Sequence, residues 1–272
     1  MQPQHEVYAL RYAVTNPDRP RRENFLPGMD LHDGPMPLDY FIWVIRSAER
    51  TVVVDTGFTA EAAAARNRRL LHRPVDLLAR LGVDAASVKD VILTHLHYDH
   101  AGGLHDFPAA TFHVQDEEMR YATGRPMCHA CLRAPFDARD VMETVGLVHS
   151  GRVKFHDGDR ELFPGISLHR VGGHSGGLQV VRVATARGPL VLASDAFHFT
   201  ENRTRRAPFP LVFHVGDMLE GFLRCEELAD GRDDLLIPGH DPAVTRRWPR
   251  LLSTEPDIVC LHEAPIVDEG TL

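Results

Sequence analysis

The sequence predicts an α/β protein in which two β-rich halves pack as two sheets face to face, with helices outside. Three observations favour this class. Short runs of β-branched and aromatic residues recur along the chain, Gly-rich turns separate many of them, and helix-forming segments occur in both halves. The chain of 272 residues is 43% hydrophobic, which is enough for a substantial core. We therefore expect one domain over residues 1–272.

The first half begins with strands and continues with helices. The segments "HEVYALRYAV" and "PLDYFIWVIRSAERTVVVDTG" predict antiparallel strands that end in "TVVVD". Thr59 is the expected N-cap of a helix over "TAEAAAARNRRLLHR", and "VDLLARLGVDAASV" is predicted to continue helically until Gly82 interrupts it. The segments "DVILT" and "ATFHVQ" predict strands, and "DEEMRYAT" predicts a helix.

The second half repeats this organisation after residue 151. The predicted strands are "RVKFHDG", "ISLHRVGG", "LQVVRVAT" and "GPLVLASD", followed by a helix over "VGDMLEGFLRCEELADG" and the strands "DLLIPG" and "DIVCL". Residues 124–152 fit neither a strand nor a helix pattern well. We expect this segment to be an insertion or lid over one end of the sheets.

Charge and composition exclude several classes of protein. The formal charge of −8 and the pI of about 6.1 oppose a nucleic-acid-binding role, which generally needs a basic face. No stretch approaches the roughly 20 apolar residues of a membrane span, and the N-terminal segment lacks the pattern of a signal peptide, so we expect a cytoplasmic protein that binds no membrane. Cys128 and Cys131 have the spacing of half a zinc ribbon, but no second CxxC follows.

The stretch "VILTHLHYDHAGG" contains four candidate metal ligands within six residues. His95 and His97 are two residues apart at the end of a predicted strand, so both imidazoles can point to one side. Asp99 and His100 follow where the chain turns, and can reach a second point nearby. Imidazole and carboxylate are ligand types that Zn²⁺ accepts, and coordination of a dication compensates for burying them together. The spacing therefore predicts a metal site.

Three further candidate ligands stand at the ends of other strands. His174 lies in "VGGHSGG", Asp195 ends "LVLASD", and His240 lies in "LIPGHDP". Each follows or precedes a Gly-rich turn that allows a close approach of backbone and metal. The remaining candidates have no evident companions and are interpreted as structural or surface residues: His72, His113, His149, His156, His214 and His262.

This set of residues resembles the HxHxDH…H…D…H signature of the metallo-β-lactamase superfamily. The resemblance covers residues 95–240, and "VVVDTG" with Asp55 is similar to the usual opening of the family. It implies a four-layer αβ/βα sandwich with two divalent metal ions, Zn²⁺ being the ion expected, although such donors also accept Mn, Fe or Co. One ion would be held by His95, His97 and His174. The resemblance assigns Asp99, His100 and His240 to the other ion, with Asp195 bridging the two.

The same signature implies hydrolysis. Two divalent ions about 3.5–4 Å apart can share a hydroxide and polarise the carbonyl that it attacks. Asp99 would then also move a proton to the leaving oxygen. The stretches "MPLDYFIWVI", "ASDAFHFTENR" and "IPGHDP" resemble the N-acyl homoserine lactonase group, which implies that a lactone ring is opened. That group has a tyrosine where this chain has His198, which we assign to a hydrogen bond with the substrate.

Candidate substrate contacts are less specific. Phe25, Met29, Met36 and Phe41 precede or begin a strong strand and could form an apolar pocket wall. Arginines soon after Asp195 could bind a substrate carboxylate; these are Arg203, Arg205 and Arg206. The expected partner is a small lactone or ester, and a homodimer is compatible with the sequence.

Other functions remain open at this point. A glyoxalase II-like thioesterase would use nearly the same ligands, but no basic patch for glutathione is evident. A sulfur dioxygenase of the same fold would use one iron ion and a facial triad. A metal-binding module without catalysis would bind metal tightly and turn over no ester, lactone or thioester.

Overall fold

The structure of the protein, a computed structural model, describes residues 4–26 and 32–266. Its larger sheet contains β1 (Glu6–Val14), β2 (Asp39–Arg46), β3 (Thr51–Val54), β4 (Arg69–Leu70), β5 (Asp90–Ile92), β6 (Thr111–Gln115), β7 (Val153–His156) and β13 (Ile258–Cys260). Its smaller sheet contains β8 (Arg160–Phe163), β9 (Ile166–Arg170), β10 (Gln179–Thr185), β11 (Gly188–Ser194) and β12 (Leu236–Pro238).

Nine α-helices are present in the described ranges. They are α1 (Ala60–Ala65), α2 (Pro74–Arg80), α3 (Tyr98–Ala101), α4 (Asp116–Thr123), α5 (Ala130–Arg133), α6 (Ala138–His149), α7 (Thr200–Thr204), α8 (Val215–Leu228) and α9 (Ala243–Arg247). None of the helices in these ranges is both long and apolar enough to cross a membrane.

Three apolar layers hold the fold together. Strand β2 shows why, because alternate side chains of a strand face opposite sides of the sheet. Phe41 and Trp43 pack between the two sheets, whereas Tyr40 and Ile42 pack against the helices on the outer face. A third apolar layer lies between the smaller sheet and α8. The α/β prediction and the four-layer arrangement of two sheets between helices are confirmed.

The larger sheet has the order β13-β1-β2-β3-β5-β6-β7, with β4 paired to β1, and the smaller has the order β12-β11-β10-β9-β8. The division into a first and a second half is therefore only approximate. Strand β7 pairs in parallel with β6, and β13 pairs with β1, so both return to the larger sheet. Hydrophobic pattern alone predicts a strand but does not choose its partner strand.

Two local predictions need correction. The helix that begins at the Thr59 N-cap ends at Ala65, and Asn67 then takes a left-handed conformation (φ 53°). The following residues form β4, which pairs with β1, because tertiary pairing outweighs the helix propensity of this segment. Strand β8 was not predicted, because its residues fall between two predicted strands.

The segment 124–152 is largely helical. It contains a 3₁₀ turn at Arg125–Cys128 and the helices α5 and α6. The thiols of Cys128 and Cys131 are exposed and free. The function of the segment as a lid stays a prediction.

Candidate metal centre

The predicted ligands converge at one end of the two sheets. In the larger sheet β3 and β5 run in parallel, and residues 94–100 follow the C-terminal end of β5. In the smaller sheet β11 and β12 are parallel, and they lead into Asp195 and His240. His174 lies in the turn between β9 and β10. None of the seven predicted ligands is more than 8% exposed.

The first group of donors consists of His95, His97, His174 and one oxygen of Asp195, whose atoms lie within 4.8 Å of one another. His97 Nδ1 and His174 Nε2 are 3.0 Å apart. His174 donates its Nδ1 hydrogen to the carbonyl of Leu211 at 2.7 Å, so its Nε2 carries the lone pair. Nitrogens about 2.0–2.1 Å from a tetrahedral zinc are roughly 3.3 Å from each other, so this separation suits a shared ion.

The second group consists of Asp99, His100 and His240. The backbone carbonyl of Asp39 accepts a hydrogen bond from His240 Nδ1 at 2.9 Å, which leaves His240 Nε2 facing the site. The Nε2 atoms of His100 and His240 lie 3.6 and 3.7 Å from Asp99 Oδ2. These separations leave room for a cation between the three side chains.

Asp195 joins the two groups. Its Oδ2 lies 3.1 Å from His174 Nε2, and its Oδ1 lies 3.0 Å from His240 Nε2. Each oxygen therefore faces a different group, as the bridging role requires. Gly239 allows this arrangement, because a Cβ atom there would lie 2.6 Å from the Ser194 carbonyl oxygen and 2.8 Å from Asp195 Oδ1.

The donor set fits divalent cations. His95 Nε2 and His100 Nε2 are buried and have no hydrogen-bond partner, which is costly unless another ligand satisfies them. Burial lowers the pKa of His95 and His97 well below the ordinary value, so both imidazoles are neutral. Although burial raises the pKa of Asp195, the surrounding histidines hold it well below its usual range. Neutral imidazoles at His95 and His97 and an ionised carboxylate at Asp195 are protonation states that metal binding needs.

Asp55 orients the second group from behind. Its carboxylate accepts hydrogen bonds from His100 Nδ1 at 2.7 Å and from the backbone and side chain of Thr94 at 2.7 and 2.8 Å. Carboxylates in this position fix the tautomer and direction of a metal-binding histidine. Asp55 and Ser194 both have positive φ angles (62° and 45°), a conformation that costs free energy and is concentrated at functional sites.

Glu118 performs a similar task for the first group, and the sequence analysis missed it. This buried carboxylate accepts hydrogen bonds from Leu96 N at 2.9 Å, Ser175 Oγ at 2.6 Å and Gly177 N at 2.9 Å. It therefore ties the loop that carries His95 to the loop that follows β9. A single glutamate at the start of α4 gives no sequence signal for this role.

A cleft of about 210 Å³ opens onto the donors and includes Asp99, Asp195, His198 and His240 in its walls. His198 is buried rather than exposed to solvent, and its ring stacks on Phe209 with centroids 3.7 Å apart. Its Nε2 lies 3.2 Å from Asp195 Oδ2. The structure thus brings His198 to the cleft, together with the seven predicted ligands.

The described members of the predicted apolar contacts, Phe25, Met36 and Phe41, do not line this cleft. Phe41 packs between the sheets, Phe25 is 1% exposed and packs under Arg21, and Met36 packs against the layer below α8. Phe41 fills a core because apolar layers cover both faces of β2. Met29 lies outside the described residues. The apolar cleft walls are formed instead by Leu38, Tyr40, Ala134, Pro135, Phe209 and Leu211.

The three predicted arginines also lie outside the cleft lining. Arg203 pairs with Glu226 and Asp233, both at 2.7 Å, Arg205 pairs with Glu201 at 2.7 Å, and Arg206 pairs with Glu226 at 2.9 Å. Nearby carboxylates therefore bind these guanidinium groups. The arginines in the cleft walls come from elsewhere in the sequence; they are Arg19, Arg66 and Arg68.

A sandwich of two sheets between helices, with buried histidines and aspartates gathered at the strand ends, is the fold and site of a metal-dependent hydrolase. Comparison with known proteins agrees. The chain belongs to the metallo-beta-lactamase superfamily, whose family model matches residues 36–240.

Several relatives within this superfamily are lactonases. The N-acyl homoserine lactonase AiiA of Bacillus thuringiensis subsp. kurstaki is 27% identical over 221 residues, which cover 75% of this chain and 82% of the relative. The crystal structure of a quorum-quenching N-acyl homoserine lactone lactonase superposes with a TM-score of 0.73 at 24% identity, covering 89% of this chain and 94% of the other. AidC, a dizinc quorum-quenching lactonase in complex with a product, superposes with a TM-score of 0.69 at 17% identity, covering 98% and 97%.

Proposed function

We propose that this protein is a metal-dependent hydrolase that opens a lactone ring, as the N-acyl homoserine lactonases it resembles are named for doing. One observation carries the proposal. The two oxygens of Asp195 face two separate groups of donors at the floor of an open cleft, at 3.1 Å from His174 Nε2 and 3.0 Å from His240 Nε2. A carboxylate so placed can join two cations that both reach the substrate.

The two sets of ligands are those proposed from the sequence: His95, His97 and His174 for one ion, and Asp99, His100 and His240 for the other, with Asp195 shared. Two divalent ions bound there would supply Lewis acidity and lower the pKa of a shared water molecule. The donor set suits Zn²⁺, and a dizinc relative supports zinc as the native metal.

Asp99 is the residue that moves the proton. It lines the cleft, and its Oδ2 lies 3.6 Å from His100 Nε2 and 3.7 Å from His240 Nε2. A carboxylate at this position can accept a proton from the attacking water and return it to the alkoxide that leaves when the ring opens. The backbone carbonyl of Asp99 accepts a hydrogen bond from Tyr12 at 2.8 Å, which fixes the start of α3.

His198 binds and orients the substrate. Stacking on Phe209 holds its ring against the cleft wall, close to the shared carboxylate. From there an imidazole N–H can donate a hydrogen bond to the carbonyl or leaving oxygen of the lactone. Histidine therefore replaces the tyrosine of the lactonase group in a role that needs only a donor.

The thioesterase alternative is not favoured, because the curated relatives are named lactonases or probable metallo-hydrolases. The metal-binding module without catalysis is also less favoured, because Asp99 retains access to the cleft. The cytoplasmic location and the homodimer stay predictions.

A hydrolysis screen with metal analysis tests the proposal. The substrates are acyl homoserine lactones, simple γ- and δ-lactones, aromatic lactones and thioesters, assayed with protein of measured metal content. We expect two ions per chain and turnover of at least one lactone class above the thioesters. Two bound ions with no lactone turnover would contradict the catalytic assignment, and one iron ion per chain would favour oxygen chemistry.

A further inference from the structure

The cleft beside the metal centre is rich in positive charge. Three arginines line it, Arg19, Arg66 and Arg68, whereas Asp99 and Asp195 are the only carboxylates in its lining among the residues that the structure describes. Both of these carboxylates are proposed metal ligands, so bound cations would neutralise them. The arginines then place positive charge beside the apolar walls of the cleft, which suits a substrate that carries an anionic group.

Arg68 differs from the other arginines near the site. Its Nε donates to the Tyr98 hydroxyl at 3.3 Å and its Nη1 to the Arg66 carbonyl at 2.9 Å. Among the described residues, 4–26 and 32–266, the Nη2 of Arg68 has no hydrogen-bond partner. No carboxylate of these residues lies within 4.0 Å of its guanidinium group. A half-buried guanidinium whose partners are all neutral retains donors for a further acceptor.

The two neighbouring arginines have tasks that the structure already explains. Arg66 donates to the carbonyls of Ala134 at 2.9 Å and Phe136 at 3.0 Å, so it holds one cleft wall in place. Arg19 forms an ion pair with Glu23 at 3.1 Å. Arg68 therefore has the strongest claim to contact the substrate, because its Nη2 has no partner among the described residues, whereas both terminal nitrogens of Arg66 and of Arg19 are already bonded.

The position of Arg68 also suits recognition. The Tyr98 hydroxyl that it contacts lies 3.3 Å from the Tyr40 hydroxyl, and Tyr40 packs edge-on against His240 with ring centroids 5.0 Å apart. Arg68 is thus linked through two phenols to the second group of metal ligands.

We propose that the substrate is a lactone that carries a carboxylate, and that Arg68 binds this carboxylate and determines specificity. The inference rests on the proposed lactonase function and narrows it. The guanidinium would form charge-assisted hydrogen bonds with the substituent while the ring carbonyl lies at the metal centre. The arginines expected from the sequence to do this, Arg203, Arg205 and Arg206, already have carboxylate partners.

A matched pair of lactones tests this inference. The probes are 5-oxotetrahydrofuran-2-carboxylate and its carboxamide, which share a ring and differ in charge. We expect the wild-type protein to prefer the carboxylate in kcat/KM by roughly tenfold to a hundredfold, the range of one charge-assisted contact. In Arg68→Gln this ratio should fall to near one, mainly through KM. Arg68→Lys, which keeps the charge but loses the planar donor geometry, should give an intermediate ratio.

Arg224→Gln is the matched control, because Arg224 lies on α8 and pairs with Asp159 and Glu227 at the surface. It should keep the wild-type ratio. If neither probe nor any other lactone is opened, the proposed function fails. If lactones are opened but the wild-type protein shows no preference for the carboxylate, only the present inference fails, whether or not Arg68→Gln folds. If a folded Arg68→Gln protein lost kcat/KM equally on both probes, the inference would also be overturned, and Arg68 would have a structural role only.

Discussion

Two clusters of histidines in this chain differ in what their ring nitrogens face. In the metal-centre cluster, which consists of the seven proposed ligands, His95 Nε2 and His100 Nε2 have no hydrogen-bond partner, and Asp195 lies between the rings. In the strand cluster, which consists of Asp90, His113 and His156, each nitrogen of His113 has a partner. His113 Nδ1 lies 3.0 Å from His156 Nε2, and its Nε2 lies 3.1 Å from Asp90 Oδ1.

The comparison shows that a group of histidines is not by itself a metal site. The strand cluster is formed by neighbouring strands β5, β6 and β7, and both nitrogens of its buried member, His113, have partners there. The interpretation of His113 and His156 as structural agrees with this geometry, although the expectation that they have no companions was wrong. Convergent donors that lack partners distinguish the metal centre, because burying them is unfavourable without a cation.

Metal removal should separate the clusters most clearly. Dialysis against a chelator is expected to reduce lactone hydrolysis to the uncatalysed rate, and added Zn²⁺ should restore it, because the metal-centre cluster has no other source of Lewis acidity. Hydrolysis and metal content are measured together. His156→Asn in the strand cluster serves as the control and should bind the same number of ions as the wild type. A chelated, metal-free protein with its full rate would refute the metal centre.

Asp99→Asn tests the catalytic member of the metal-centre cluster. We expect kcat to fall by about 10²–10⁴-fold, the usual contribution of a general acid or base, since an amide cannot carry the proton. Circular dichroism should show an unchanged fold, and the measured kcat decides whether Asp99 takes part in the mechanism. A mutant with the full rate would remove Asp99 from the mechanism.

Asp55→Ala tests the support behind the metal-centre cluster. Loss of the 2.7 Å contact with His100 Nδ1 should weaken metal affinity or activity by about 10–100-fold, as is typical of groups that orient a ligand. Competition with a chromophoric chelator measures the affinity. Asp90→Ala is the equivalent change in the strand cluster and should leave metal affinity unchanged. If both substitutions weakened metal binding equally, the distinction between the two clusters would be contradicted.

His198→Ala should have a smaller effect, because one neutral hydrogen bond contributes about 1 kcal/mol, or roughly a fivefold change in turnover. Metal content should remain at the wild-type level. The steady-state rate and the ion count are measured on the same sample. Unchanged kinetics would mean that His198 does not contact the substrate.

The last prediction concerns pH and the strand cluster. Burial, with a smaller contribution from His113, lowers the pKa of His156 to about 4 in the folded protein, from about 6.5 in the unfolded chain. Between these values the unfolded chain binds more protons, so stability is lost as the pH falls from 6.5 towards 4. We expect His156→Asn to show a shallower loss of thermal stability over this range than the wild type. Parallel curves would exclude His156 as the cause.

Local sequence predicted the strands and the donors well, because both depend on short-range pattern. His95 and His97 alternate at the end of β5, and Thr59 caps α1 by accepting a hydrogen bond from Ala62 N. The partners of β7 and β13 were not predictable, since pairing depends on packing between distant segments. The cleft arginines were missed for the same reason: Arg203 was chosen for its closeness to Asp195 along the chain, but its orientation is set by Glu226.

The sequence by itself determined the chemistry of this protein, because the identity and spacing of its imidazoles and carboxylates are properties of the chain. Only the tertiary structure decided how they work. It places Asp195 between two groups of ligands and places Asp55 and Glu118 behind them, where both accept hydrogen bonds. It also leaves Arg68 in the cleft with no carboxylate partner among the described residues. These arrangements join residues far apart in sequence, and the packing of two sheets, which brings their strand ends together, sets them.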